Sequence, residues 1–181
     1  PRARPRHHAR LAGPDPGAVT RPARLLLVYG GHPGGRTDRL RAAAVAGIEA
    51  VAAECAADGV VLELRERPAL AATVDDLLWA GGVLLGTPEH FGYMSGALKD
   101  FFDRSFYPAQ GRTEGLPWAL FVSAGNDGRG TVTAVERIVT GYGWQPVAEP
   151  LRVVGEPDEA ALARCRELGA TLAAGLAADS F

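Results

Sequence analysis

From Leu25 onward, short and wholly apolar runs alternate with longer stretches whose apolar residues recur every three or four positions. LLLVY (25–29) has no polar alternation, the pattern of a strand buried on both faces. Leu40, Ala44, Val45, Ile48, Val51, Ala52 and Cys55 follow at helical spacing and predict a helix of about five turns. The alternation continues with strands predicted at 59–65, 83–87, 118–123 and 147–154. Helices are predicted at 75–80, 95–104, 132–142 and from Glu159 onward, the last with Ala161, Cys165, Leu168, Leu172 and Leu176 on one stripe. Pro150 predicts an edge position for the fifth strand, because proline cannot donate to a ladder. Residues 105–117 read as the longest loop. Strands separated by helices pair in parallel through right-handed crossovers, so helices cover both sheet faces. The expected class is α/β, a three-layer α/β/α sandwich.

Charge divides the chain unevenly. Residues 1–24 carry +5 and five prolines without apolar periodicity, whereas the remainder carries −7. Residues 1–23 therefore read as a flexible basic tail, and 24–181 as one domain. The tail holds no aromatic residue in its first ten positions, so nucleic acid is not an expected partner. No apolar run reaches the roughly 18 residues that span a bilayer, and no secretory core segment is present. Membrane insertion is not expected, and the cytoplasm is the expected location. Cys55 and Cys165 are isolated, without metal-like spacing, and read as reduced core thiols. No metal site is expected.

In an open parallel sheet, ligands bind beyond the carboxyl ends of the strands. Three loops leave such ends. GGHPGGRTD (30–38) opens the first long helix, and its glycines let several N–H groups converge where the helix N-terminus favours an anion. It fits neither G-x-x-x-x-G-K-[ST] nor G-x-G-x-x-G, so a phosphate monoester suits it best, with a plain tight turn as the alternative. Candidate contacts are Gly31, His32, Pro33, Gly34, Gly35, the charge of Arg36 and the hydroxyl of Thr37. The second loop crowds Pro88, Glu89, His90, Phe91, Gly92, Tyr93 and Met94 ahead of a helix. That mixture suits a flat heteroaromatic ring, which needs amides along its polar edge and apolar groups on its faces. His90 is the one weak candidate for a proton donor. Lys99, Asp100, Asp103 and Arg104 read as a solvated helix face. The third loop, Ser123, Ala124, Gly125, Asn126 and Asp127, either touches the ring edge or merely connects.

RLLLVYGGHPGGRTDRL, GTPEHFGYMSGALKDFFDR and LFVSAGNDGRGTVTAVERIVTGYGWQPV together resemble the flavodoxin-like NAD(P)H-dependent oxidoreductases, which include FMN and quinone reductases. The specific part is T-P-x-x-x-G-x-M-S-G-x-x-K-x-F-x-D-R. The resemblance implies a flavodoxin-like five-stranded parallel sheet in the order 2-1-3-4-5, FMN as cofactor and NAD(P)H as cosubstrate. A quinone, flavin or similar small molecule is the implied acceptor, and a homo-oligomer the implied assembly. Carried over by position, Gly31 to Thr37 hold the phosphate, Pro88 to Met94 flank the ring, and Ser123 to Asp127 close its other edge. The family's first loop resembles Ser-x-Thr-Gly-x-Thr, whereas here Gly31 and Pro33 replace hydroxyl residues and Thr37 comes one position late. No insertion is expected to split the fifth strand. Alternatives to a reductase are a flavodoxin-type single-electron carrier and a non-catalytic FMN-binding protein.

Overall fold

A computed structural model describes residues 22–181. The tail expected over 1–23 falls almost wholly outside them. Strand β1 (Ala23–Tyr29) pairs in parallel with β2 (Leu62–Pro68) on one side and β3 (Gly82–His90) on the other. β3 in turn pairs in parallel with β5 (Pro117–Ala124), after a two-residue strand β4 (Tyr93–Met94) that folds back on it. Two short strands, β6 (Gln145–Pro146) and β7 (Leu151–Val154), run along the outer edge of β5. With β5 as the fourth strand and β6/β7 as the fifth, this is the expected order 2-1-3-4-5.

Leu25, Leu26, Leu27 and Val28 are all fully buried, as a two-faced strand requires. Leu25 and Leu27 pack with Leu40, Ala44 and Ile48 of α1 (Arg36–Ala57) and with Cys165, Leu168 and Leu172 of α5 (Glu159–Ala177). Leu26 and Val28 join the opposite layer. It is built by α2 (Val74–Trp79), α3 (Gly96–Ala109) and α4 (Arg129–Tyr142). Each such aliphatic side chain contributes about 1.5–3 kcal/mol on burial. The Tyr142 hydroxyl donates to the Phe102 carbonyl at 2.9 Å, and burial pushes its pKa up to about 12. Cys165 is a buried thiol donating to Leu40 O at 3.2 Å, with its pKa also raised to about 12 by burial. Cys55 is free as well.

Several boundaries differ from the sequence expectation. β2 starts at Leu62 rather than 59, because the amides of Asp58, Gly59 and Val60 close the end of α1 on Ala56 and Cys55 carbonyls. α3 runs to Ala109, so the first part of the expected 105–117 loop, residues 105–109, is helix. Its continuation is held by Ser105, whose hydroxyl donates to Phe101 O and meets the Tyr142 hydroxyl. β3 extends to His90, with Pro88 in register against Ser123. The fifth strand is broken between Pro146 and Leu151, since Pro146 and Pro150 remove two ladder donors.

Candidate functional site

The loops after β1, β3 and β5 meet at the carboxyl rim of the sheet, and specific hydrogen bonds tie them together. The Thr37 and Ser123 hydroxyls lie 2.7 Å apart and are buried, linking the first loop to the third. Arg36 adds a second link by donating to the Ala124 carbonyl at 3.2 Å. Glu89 joins the second loop to the third: its carboxylate accepts N–H groups from Gly125 (3.1 Å), Asn126 (2.8 Å) and Gly128 (3.2 Å). Charge-assisted bonds of this kind are the strong ones.

Gly35 caps α1 without a side-chain hydrogen bond, so the N–H groups of the first helical turn are left for solvent or ligand. The helix dipole favours an anion there. Gly34 takes a positive φ of 75°, which only glycine adopts at no cost, and a Cβ at Gly34, Gly92 or Gly125 would meet nothing within 4 Å. The backbone of all three loops thus faces open space, as the close approach of a ligand requires. Asp38 stands in the same turn. The N–H of Gly34, at 2.8 Å, and the guanidinium of Arg41 hold its carboxyl below the usual carboxylate range. Arg36 is offset toward Glu156, at 3.9 Å, and Arg39 donates to Glu156 at 3.3 Å and to Pro157 O at 2.9 Å.

Most of the residues singled out from sequence gather here: 31–36, 88–93 and 125–127 line one rim. Gly31, His32, Pro33 and Gly34 are exposed, and His32 lies over the Gly35 backbone. His90, Phe91, Gly92 and Tyr93 are exposed on the β3–β4 hairpin. Met94, however, is a core residue, and Ser123 and Ala124 lie beneath the rim rather than on it. Thr37 is turned inward to Ser123 and braces the first loop against the third. The amides of Gly125, Asn126 and Gly128 in the third loop are capped by Glu89.

Sequence reading missed two further arginines. Arg104, taken as part of a solvated face, donates to the carbonyls of Ala72 (2.8 Å) and Ala69 (2.9 Å) and anchors the loop after β2. Its place at the end of the K-D-F-F-D-R stretch is the signal that was available. Arg152 donates to Asp127 O at 2.6 Å, and no sequence pattern marks it. Lys99 and Asp103 do form an exposed ion pair, at 2.7 Å. A groove of about 360 Å³ between α3 and α4 lies away from the rim and is walled by Phe102, Phe106, Tyr107 and Ile138. Among the described residues, no helix is long and apolar enough to cross a membrane.

The sequence profile described as NADPH-dependent FMN reductase matches residues 23–156. A protein described as flavodoxin from Aquifex aeolicus is 35% identical over 78 residues, 43% of this chain and 42% of that protein. The chain therefore matches less than half the length of that curated relative. Among solved structures, a flavodoxin from the domain Archaea superposes with a TM-score of 0.69 at 20% identity, covering 84% of this chain and 98% of that one. The flavodiiron core of Flv1 from Synechocystis gives 0.69 at 18% identity over 87% of this chain but 37% of its own. A WrbA-like protein from Agrobacterium tumefaciens gives 0.65 at 20% identity over 88% and 99%. These structural likenesses establish the flavodoxin-like fold.

Proposed function

The chain belongs to the NADPH-dependent FMN reductase family, and from that premise we propose that it is an FMN-dependent NAD(P)H oxidoreductase acting on a quinone, flavin or similar small acceptor. The observation that carries this reading is the convergence of three carboxyl-end loops on one rim, with backbone open at Gly34, Gly92 and Gly125. The residues present suit FMN. The first-turn amides of α1 hold the phosphate, and Arg36 supplies positive charge, which offsets the two hydroxyls replaced by Gly31 and Pro33. The hairpin 88–93 and the loop 125–127 border the ring. When bound, FMN supplies the redox chemistry, while the protein supplies binding, orientation and electrostatics.

Within this reading each side chain has a stated task. Glu89 fixes the β5–α4 loop against the hairpin, and Thr37 and Ser123 fix the phosphate loop against β5. His90 stands exposed at the end of β3, where it can hold a proton for an acceptor at the open rim. Family resemblance also supports a homo-oligomer, and the two free thiols, Cys55 and Cys165, suit the cytoplasm.

The likeness to a flavodoxin over 78 residues favours a second reading, a single-electron carrier. Anaerobic titration of the FMN-loaded protein with NADH and NADPH separates the two. Flavin absorbance that bleaches within seconds, and returns on adding menadione, supports the reductase. Bound flavin that neither nucleotide bleaches supports the carrier. Failure to bind flavin removes both.

A further inference from the structure

β2 lies at one side of the sheet and, among the described residues, pairs only with β1. The register runs unbroken from Ala23 beside Leu62 to Tyr29 beside Pro68, so the strand carries no bulge. At its two ends the Ala23 N–H donates to Val61 O and the Ala69 N–H donates to Tyr29 O, both at 2.8 Å. In a parallel pair those bonds fix which backbone groups face β1, namely those of Val61, Glu63, Arg65 and Arg67. Leu62, Leu64 and Glu66 therefore turn their N–H groups and carbonyls away from the sheet. The Glu66 carbonyl accepts from the Arg67 guanidinium at 3.1 Å and keeps a second lone pair. An open edge of this length is a template for a further strand, and proteins usually blunt it with lysines, bulges or a covering loop. Here the charges along the edge alternate in sign: Glu63, Arg65, Glu66, Arg67. Leu62 and Leu64 pack toward α1, as does Glu66, which pairs with Arg41. On the other face Glu63 lies 3.4 Å from Arg24, and Arg65 and Arg67 each lie 3.2 Å from Asp76.

We infer that this edge docks a second copy of the chain, β2 pairing antiparallel with itself about a two-fold axis at Leu64. Such a contact is self-complementary, so one strand supplies both halves of it. The charge pattern selects the register. Centred on Leu64, the pairing sets Glu63 opposite Arg65 of the second copy, and Arg65 opposite its Glu63. Leu64 then meets Leu64 on the α1 face, and Leu62 and Glu66 exchange their outward backbone bonds. Centred one residue later, Arg65 faces Arg65; centred one residue earlier, Glu63 faces Glu63. Like charges directly opposite each other are unfavourable. The Leu64 register also extends the existing ion pairs into an alternating run of Arg24, Glu63, Arg65 and Asp76 across the joint. Exposed Val61 comes to lie against the aliphatic part of Arg67. Antiparallel strands send the two carboxyl rims to opposite ends of the joined sheet. Each rim stays complete within its own chain, so the inference stands apart from the reductase reading.

Sedimentation equilibrium of the full chain, from micromolar to near-millimolar concentration, tests this. The expected result is a monomer–dimer equilibrium, because one strand pair buries less than a permanent dimer does. Leu64→Pro removes an outward N–H without touching the bonds to β1, and is expected to raise the dimer dissociation constant at least tenfold. Glu63→Arg and Arg65→Glu each set like charges opposite each other and are expected to do the same. An equimolar mixture of these two charge variants restores the dimer, since each offers the charge that the other lacks. A chain that stays monomeric at every concentration overturns the inference. So does a dimer that survives all three changes, or a mixture that gains nothing over the separate variants. Hydrogen exchange on the unaltered chain reads the same edge without any substitution. The amides of Leu62, Leu64 and Glu66 are expected to exchange more slowly as concentration rises. Protection that does not depend on concentration would mean that residues 1–21 of the same chain cover the strand, and it overturns the inference as well.

Discussion

The Oε2 atom of Glu89 lies 2.8 Å from the backbone nitrogen of Asn126, joining the end of β3 to the loop that leaves β5. The same carboxylate takes the amides of Gly125 and Gly128, so one side chain satisfies three donors of a loop that has few other partners. Replacing Glu89 by Ala is expected to speed hydrogen exchange at Gly125, Asn126 and Gly128 by roughly ten- to a hundredfold, because bonds to a charged group contribute about 1.5–3 kcal/mol. Exchange followed by NMR reads this directly. Unchanged protection at the three amides would mean that the loop holds its shape without Glu89.

The buried Thr37–Ser123 pair predicts a strongly non-additive double-mutant cycle. Thr37→Val leaves the Ser123 hydroxyl buried without its partner, at a cost of about 1–3 kcal/mol. Removing both hydroxyls, as Thr37→Val with Ser123→Ala, should cost clearly less than the sum of the single changes. Urea denaturation of the four proteins measures the coupling, and strictly additive costs would show that the hydroxyls do not act as a pair.

Gly130 sets two effects of opposite sign against each other. Alanine in a helix is worth about 1 kcal/mol over glycine. Here, though, the new Cβ would drive into the Gly92 carbonyl, which is backbone and part of a braced hairpin. Such overpacking costs about 1–3 kcal/mol. Gly130→Ala is therefore expected to lower stability despite its better propensity, a sign that thermal denaturation determines.

Asp76 gives the pH dependence. It accepts from the N–H and the hydroxyl of Thr73 in the capping box of α2, and it faces Arg65 and Arg67, each at 3.2 Å. Burial opposes its ionisation, yet the hydrogen bonds from Thr73 and the charge of Arg67 prevail, and its pKa is lowered from 3.8. A folded-state value below the unfolded one means that folding favours the carboxylate. The contribution is complete above 3.8 and fades as pH falls through the lower folded value. Asp76→Asn should thus cost about 1–2 kcal/mol at pH 7, with the gap to wild type narrowing below pH 4. Denaturation curves at the two pH values check this, and a gap independent of pH would remove the charge from the explanation.

The succession of strands and helices, and hence the layers, is legible because most strands are short apolar runs followed by a helix-period stretch, whereas the sheet order is what the family resemblance implies. Where the expectation slipped, a local signal was overruled from far away. Thr87-Pro88-Glu89-His90 reads as loop because of its proline and charge. It is strand because Pro88 falls in register beside Ser123, and because Glu89 finds its amides thirty-six residues on. Ser105-Phe106-Tyr107-Pro108 lacks helix formers. It is helix because Ser105 and Phe106 pack on Tyr142, whose ring lies 5.0 Å from that of Phe106. At the rim, glycine content marks the loops that converge there, but composition carries no information on which donor each acceptor takes. The sequence therefore shows neither the bond between Thr37 and Ser123 nor the three amides that Glu89 takes from the third loop.

The most direct test is a calorimetric titration of the apoprotein with FMN and, separately, with riboflavin, while backbone amide resonances are followed by NMR. The three-loop site predicts that FMN binds at least tenfold tighter than riboflavin. It also predicts that FMN shifts the resonances of residues 34–38, 89–93 and 125–128 together. Equal affinity for the two flavins, with no shift at residues 34–38, would contradict a phosphate held at the start of α1.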